Sequence, residues 1–306
     1  MDTGGITPIK PRCLKPGDTV GVVAPSSPFN REALEKGLAV LRDMGFETCL
    51  ADGLFERKGY LAGDDDLRTS QLERMFADDD IHGIVCARGG FGALKILTRL
   101  DYSLMARHAK PFVGFSDVTA LHQALLTRAG MVTFHGPMVC SLGRGEVASG
   151  DHLEKLLTGK GEMTIVAEEK RVLRPGSAEG VLVGGNLATL CHLVGTPFAQ
   201  PLAGKILLLE EVNEAPYRID RMLTHMKMAG CFKGLAGVLA GHFDGCGSPE
   251  QVEAILLDCF DDAELPVSAG FAIGHGRCNQ AVALGVGVRL DAGEGKLTYL
   301  ETPFDA

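Results

Sequence analysis

PFVGFSDVTALHQAL, residues 111–125, joins an apolar run to a helical repeat. Pro111 to Phe115 reads as a short buried strand. Beyond Ser116-Asp117, apolar side chains recur at Val118, Leu121, Leu125 and Leu126, the spacing of an amphipathic helix. Ser116 therefore stands where a strand hands over to a helix. At the carboxyl edge of a sheet its hydroxyl can project outward while the amides of the first helical turn stay unpaired. That setting suits a serine nucleophile, because the oxyanion it generates needs backbone N–H donors close by. Ser and Asp are equally the preferred caps of helix N-termini, so a plain capping role for Ser116 stands beside the catalytic one. The second glycine of a G-x-S-x-G elbow is missing, which argues against an ordinary α/β-hydrolase.

Working outward, the same alternation continues on the N-terminal side. Thr19 to Ala24 reads as a first strand, Arg31 to Met44 as a helix with Leu34, Leu38 and Leu41 on one face, and Phe46 to Leu50 as a second strand. A helix over 66–76 and a strand over 82–87 follow, the latter running into Arg88-Gly-Gly-Phe-Gly92 and a helix from Ala93. Strands alternating with helices predict an α/β fold with a parallel sheet covered by helices on both faces. Ligands of such sheets bind beyond the carboxyl ends of the strands, where both Arg88-Gly-Gly and Ser116 fall. Residues 144–180 are polar and turn-rich. Later strand-like runs at 181–183, 206–209, 237–240, 281–284, 288–290 and 297–300, with helices at about 187–194, 216–229 and 250–259, predict a smaller mixed α+β domain. The division expected is 1–165 for the N-terminal domain, 166–180 for a linker and 181–306 for the C-terminal domain.

Composition narrows the class. A chain of 306 residues with 45% hydrophobic residues can bury two cores. A net charge of −9 and a pI near 5.5 argue against a general nucleic-acid surface and an anionic-membrane surface. No run is long enough to span a membrane. The start of the chain carries Lys10, Arg12 and Lys15 but no apolar stretch of a signal peptide. Nine cysteines, without a C-x-x-C pair, fit reduced thiols in the cytoplasm better than a disulfide framework or a zinc site.

The second half supplies groups to complete a hydrolytic centre. Lys205-Ile-Leu-Leu-Leu-Glu210-Glu211 is an apolar strand ending in acids, and such a carboxylate can orient an imidazole and stabilise the imidazolium. A solvated acidic turn ahead of the next helix accounts for the same residues. Gly274-His275-Gly276 sets a histidine between two glycines, where its ring stands clear of bulk. His135 and His192 are read as structural. The acids Asp64, Asp65 and Asp66 read as a helix start rather than a metal site, and no metal or cofactor is expected.

Together these segments resemble the LD-carboxypeptidase family, serine peptidases that include muramoyltetrapeptide carboxypeptidases and microcin C self-immunity proteins. The matching stretches are VGVVAPSS (20–27), GYLAG with DDDLR (59–68), ARGGFG (87–92), GFSDVTAL (114–121), FHGP (134–137), LVGGNLATL (182–190), LLLEEVNEAPYRIDRML (207–223) and GHGRCNQ (274–280), in the family's order. The resemblance implies that Ser116 is the nucleophile, Glu210 the triad acid and His275 the general base. It places the oxyanion hole at the amides of Gly90 and Asp117, and implies a Rossmann-like N-terminal domain carrying the serine, a C-terminal domain carrying the acid and the histidine, and the site between them. It also implies release of D-alanine from a murein tetrapeptide in peptidoglycan recycling, and a homodimer. Arg88 is a candidate for holding the substrate's terminal carboxylate, with an internal salt bridge as its alternative. Phe91 stands where RGGYG is usual, and QAVALG (280–285) replaces the family's Leu-Pro-Leu-Gly ending; both bear on substrate choice. Two other functions compete. One is an immunity-type peptidase that cleaves a peptidyl or aminoacyl nucleotide. The other is a non-catalytic nucleotide-binding protein using 88–92 as an anion turn, although G-x-G-x-x-G and Walker A patterns are absent.

Overall fold

The computed structural model describes residues 8–144, 147–261 and 263–305; the first seven residues, Gly145, Glu146, Asp262 and Ala306 lie outside the described residues. Among the described residues, fourteen strands form two sheets. The first takes β1 (Thr19–Val23), β2 (Glu47–Leu50), β3 (Gly83–Cys86), β4 (Phe112–Gly114) and β5 (Thr133–His135). The second takes β6 (Thr164–Val166), β7 (Arg171–Arg174), β8 (Ser177–Asn186), β9 (Lys205–Val212), β10 (Gly237–Asp244) and β11 (Val267–Ala269), with β13 (Gly287–Asp291) and β14 (Lys296–Tyr299). One strand crosses over: β12 (Val282–Leu284) leaves the second half of the chain and closes the edge of the first sheet.

The first sheet runs β2-β1-β3-β4-β5, all parallel, and β12 adds antiparallel to β5, pairing Val282 with His135. Val20 to Val23 of β1 are all buried, as expected of a strand covered by helices on both faces. Helix Arg31–Asp43 buries Leu34, Leu38 and Leu41 against the sheet, and Asn30 caps it by accepting from the Ala33 amide at 3.0 Å. Each of those leucines contributes about 1.5–3 kcal/mol by leaving water, and the cap about 1 kcal/mol. Helix Asp65–Ala77 begins as the acids predict, with Asp64 accepting from the Leu67 amide at 2.8 Å.

In the second sheet β8, β9, β10 and β11 are parallel, and β7, β13, β14 and β6 add antiparallel at its margins. The stretch 166–180, expected as a linker, contributes β7 and the start of β8, and the polar stretch before it contains a helix, Val147–Leu157. Strand alternation along β9 sorts the two cores. Ile206 and Leu208 pack into the core shared with the first sheet, while Leu207 and Leu209 pack into the core under helices Leu187–Leu193, Pro216–Met228 and Pro249–Cys259. The second sheet is thus a wall between two cores, and its first face looks toward Ser116.

Candidate active site

β4 ends at Gly114, and the chain turns through Ser116–Val118, a single 3-10 turn, into helix Thr119–Ala124. Ser116 has φ +63°. A non-glycine residue in the left-handed region costs on the order of 1–3 kcal/mol and persists where the surroundings hold it. Capping does not explain it, because neither the 3-10 turn nor the helix takes a side-chain cap. Ser116 is half-buried, and among the described residues its hydroxyl makes no protein hydrogen bond. The serine–histidine hydrogen bond of a triad is therefore not formed in this structure.

The turn after Ser116 is tied down by its neighbour. Asp117 is buried, and its Oδ2 accepts from Ser26 Oγ at 2.6 Å and from the Ala93 amide at 2.8 Å. Burial pushes this carboxyl above the ordinary range, although both hydrogen bonds and the Arg68 charge oppose it. One side chain thereby joins the end of β1, the start of helix Ala93–Ile96 and the Ser116 turn.

The Arg88-Gly-Gly turn backs onto the serine. A methyl group at Gly89 would stand 3.0 Å from Ser116 Cβ. Gly90 has φ +109°, and a methyl there would meet Ser27 Oγ at 2.4 Å, so both conformation and space call for glycine. Ser27 Oγ accepts from the Phe91 amide at 3.1 Å, whereas the Gly90 amide has no acceptor among the described residues. Arg88 is exposed and donates to the Pro28 carbonyl at 2.8 Å; among the described residues it has no carboxylate partner, contrary to the salt-bridge alternative.

From the other half come the acid and the imidazole. Glu210 shares the parity of Ile206 and Leu208, so it faces the first sheet and is fully buried. Glu211 points the opposite way and accepts from Asn186 Nδ2 and the Ala188 amide, both at 2.8 Å. Glu210 Oε2 lies 2.6 Å from His275 Nδ1, which leaves Nε2 as the free edge of the ring. Gly274, at φ +102°, lets the backbone pass the carboxylate: a methyl there would sit 2.5 Å from Oε2. The His275 loop is fixed from below, since the Gly274 amide donates to Asn279 Oδ1 at 2.8 Å and the Asn279 amide to Ser149 Oγ at 3.0 Å. The imidazole packs on Phe115, with ring centroids 4.7 Å apart, which brings it to the residue beside Ser116.

The electrostatics follow from these contacts. Burial lowers the pKa of His275, but the hydrogen bond and charge of Glu210, with Glu211 and Asp244 further off, raise it above the ordinary value of 6.5. Burial pushes Glu210 up, and the imidazoles of His135 and His275 draw it well below the usual carboxylate range. An ionised acid beside a basic imidazole is the arrangement that lets histidine take a proton from an alcohol.

Several contributors escaped the sequence reading. Ser26, Ser27, Asn186 and Asn279 all lie in stretches singled out above, yet their partners are distant in the chain. Asn186 also donates its amide to Thr119 Oγ1 at 3.0 Å, linking β8 to the helix that follows Ser116. His192 is exposed on its helix, whereas His135, read as structural, lies with Nε2 3.9 Å from Glu210 Oε1.

Comparison with known proteins gives this geometry a context. The model of the LD-carboxypeptidase N-terminal domain matches residues 20–136, and that of the C-terminal domain matches residues 179–290. A probable murein peptide carboxypeptidase of Bacillus subtilis is 40% identical, covering 92% of this chain and 90% of its own. The muramoyltetrapeptide carboxypeptidase of Oxalobacter formigenes superposes with a TM-score of 0.81 at 28% identity, over 91% of this chain and 97% of its own. An MccF-like protein of Bacillus anthracis superposes with a TM-score of 0.89 at 25% identity, over 95% of this chain and 98% of its own. With both domain models matched and a 40% identical relative along nearly its whole length, the chain belongs to the LD-carboxypeptidase family of serine hydrolases.

Proposed function

We propose that this enzyme cleaves the amide bond between an L-configured centre and a terminal D-amino acid, releasing D-alanine from murein tetrapeptide in peptidoglycan recycling. His275 Nε2 takes the Ser116 proton, and Ser116 Oγ attacks the scissile carbonyl. The amides of Gly90 and Asp117 hold the oxyanion. Collapse of the tetrahedral intermediate breaks the C–N bond as His275 returns the proton to the departing amine. Water, activated by the same imidazole, then releases the acyl group. Glu210 fixes the His275 tautomer, and Arg88 receives the substrate's carboxylate.

The observation that supports this reading most is the buried Glu210–His275 pair at 2.6 Å, resting on the residue beside a strained, unbonded serine. The test is mass spectrometry of products from a panel of muropeptides, with Ser116→Ala in parallel. Loss of one D-alanine from the tetrapeptide, absent in the variant, is the expected result; an unchanged tetrapeptide would overturn the substrate assignment.

One feature favours a second reading, an immunity-type peptidase acting on an aminoacyl nucleotide. Tyr60 and Phe91, 66% and 44% exposed, form an aromatic pair with centroids 5.8 Å apart next to the Gly90 turn, where a base could stack. Turnover of an aminoacyl sulfamoyl adenosine, with the muropeptides untouched, would select it. A homodimer belongs to the proposal by resemblance, and light scattering at twice 32.4 kDa would show it. A reducing, cytoplasmic setting is supported by nine cysteines that form no disulfide among the described residues. No helix among the described residues is long and apolar enough to cross a membrane.

A further inference from the structure

Glu210 has two oxygens, and only one of them is accounted for. Oε2 takes the His275 hydrogen bond, while Oε1, buried in the same wall, has no hydrogen-bond partner among the described residues. Facing it at 3.9 Å is Nε2 of His135, fully buried, with both ring nitrogens likewise unpartnered. Buried polar atoms are nearly always hydrogen-bonded, and a buried charge is the costliest group to leave unpaired. Two such atoms facing each other at 3.9 Å therefore point to an interaction that forms there. The two residues come from different halves of the molecule: His135 ends β5 of the first sheet, and Glu210 lies on β9 of the second.

We propose that His135 is a positioning residue of this centre, donating its Nε2–H to Glu210 Oε1 so that the acid is clamped between two imidazoles, one from each half. The inference rests on the triad reading above. A gap of 3.9 Å closes with about 1 Å of approach, and catalytic hydrogen bonds are often long in ligand-free enzymes and tighten when substrate binds. The surroundings favour a specific contact over filler. His135 pairs with Gly114 in the β4–β5 register, two residues before Ser116, and Phe115 lies edge-on to it at 6.0 Å while touching His275 at 4.7 Å. Shortening of this one contact on substrate binding would thus orient the acid, and through it the base, in one movement.

The titratable groups around this pair are few. Glu210 and Glu211 come from β9 and Asp244 from β10; His275 comes from the loop after β11; His122, 6.4 Å away by ring centroid, comes from helix Thr119–Ala124. Of these, His122 is committed to the Gly114 carbonyl through Nε2 at 2.8 Å. Removing the His135 donor leaves the whole charge of Glu210 to His275. The base then holds its proton to higher pH, and the acidic limb of kcat/KM moves up.

The experiment compares the wild type with His135→Phe and His135→Gln on the substrate that the wild type turns over. His135→Phe is expected to lower kcat about 10–100-fold, the scale of one hydrogen bond to a charged group. KM should stay within about twofold, and the acidic limb should move upward. His135→Gln, which keeps an N–H donor, is expected to recover most of kcat and return the limb toward its wild-type position. A wild-type limb in His135→Phe overturns the proposal, as does equal loss in both variants with no movement of the limb. Should His135→Phe fail to fold, ¹⁵N-histidine labelling of the wild type carries the same test. A slowly exchanging His135 Nε2–H that shifts in Glu210→Ala supports the contact, and its insensitivity to Glu210→Ala ends it. Ser116→Ala separates the two failures. Full turnover there ends the triad reading and this inference with it, whereas a dead Ser116→Ala beside an unaffected His135→Phe ends only the role of His135.

Discussion

Ser116 spends backbone energy to stand where it does, and the cost is measurable. Its φ of +63° is held by the Asp117 anchor on Ser26 and Ala93 and by the Gly89 backbone behind it. Ser116→Gly should therefore raise stability by about 1 kcal/mol in chemical denaturation while abolishing turnover. A loss of stability would show that the serine is not strained. Ser116→Ala should cut kcat by about 10⁵–10⁶ with an unchanged circular dichroism spectrum. The histidine makes a separate demand. As the proposed base His275 works only when neutral, and Glu210 raises its pKa above 6.5, so kcat/KM should fall as pH drops through an acidic limb lying above 6.5. Glu210→Gln removes the charge that holds the imidazolium, so the limb should move down in pH while kcat falls by about 10⁴. A limb that stays put would separate Glu210 from the base.

At the level of elements, two turns and one strand carry the proposed chemistry. The Arg88-Gly-Gly turn is shaped by close approach, since a methyl at Gly90 would meet Ser27 Oγ at 2.4 Å. Gly90→Ala should displace the turn and cost about 10²–10³ in kcat, the scale of one oxyanion donor. Near wild-type kcat in a folded Gly90→Ala would remove that amide from the mechanism. β9 works by parity. Its alternation sends Glu210 to the Ser116 side and Glu211 to the helix side, where Asn186 and the Ala188 amide hold it. A side-chain period of two was legible from Lys205-Ile-Leu-Leu-Leu-Glu210-Glu211, but with apolar residues on both faces nothing local said which acid faced the site.

On the scale of the molecule, the two halves are not separable beads. β12 follows the His275 loop and completes the first sheet, one core runs from that sheet onto the near face of the second, and Asn186 and Gln123 bond across the joint. Calorimetry should show one transition with matching calorimetric and van't Hoff enthalpies. A fragment ending before residue 177 lacks β12, leaves the edge of β5 unpaired, and should aggregate rather than fold. Two resolved transitions would contradict this. Local pattern by itself determined the alternating α/β order, the strand-to-helix junction at Ser116 and the turn at Arg88-Gly-Gly, because periodicity and glycine spacing act within a few residues of chain. It also marked Glu210 and His275 as candidates, though their assigned roles came from resemblance to a family. Tertiary structure alone decided that β12 crosses into the first sheet, that Glu210 rather than Glu211 meets His275, and that His135 lies opposite the same carboxylate. Each of those outcomes depends on which face of a sheet meets which core, and that is settled by packing between segments more than sixty residues apart.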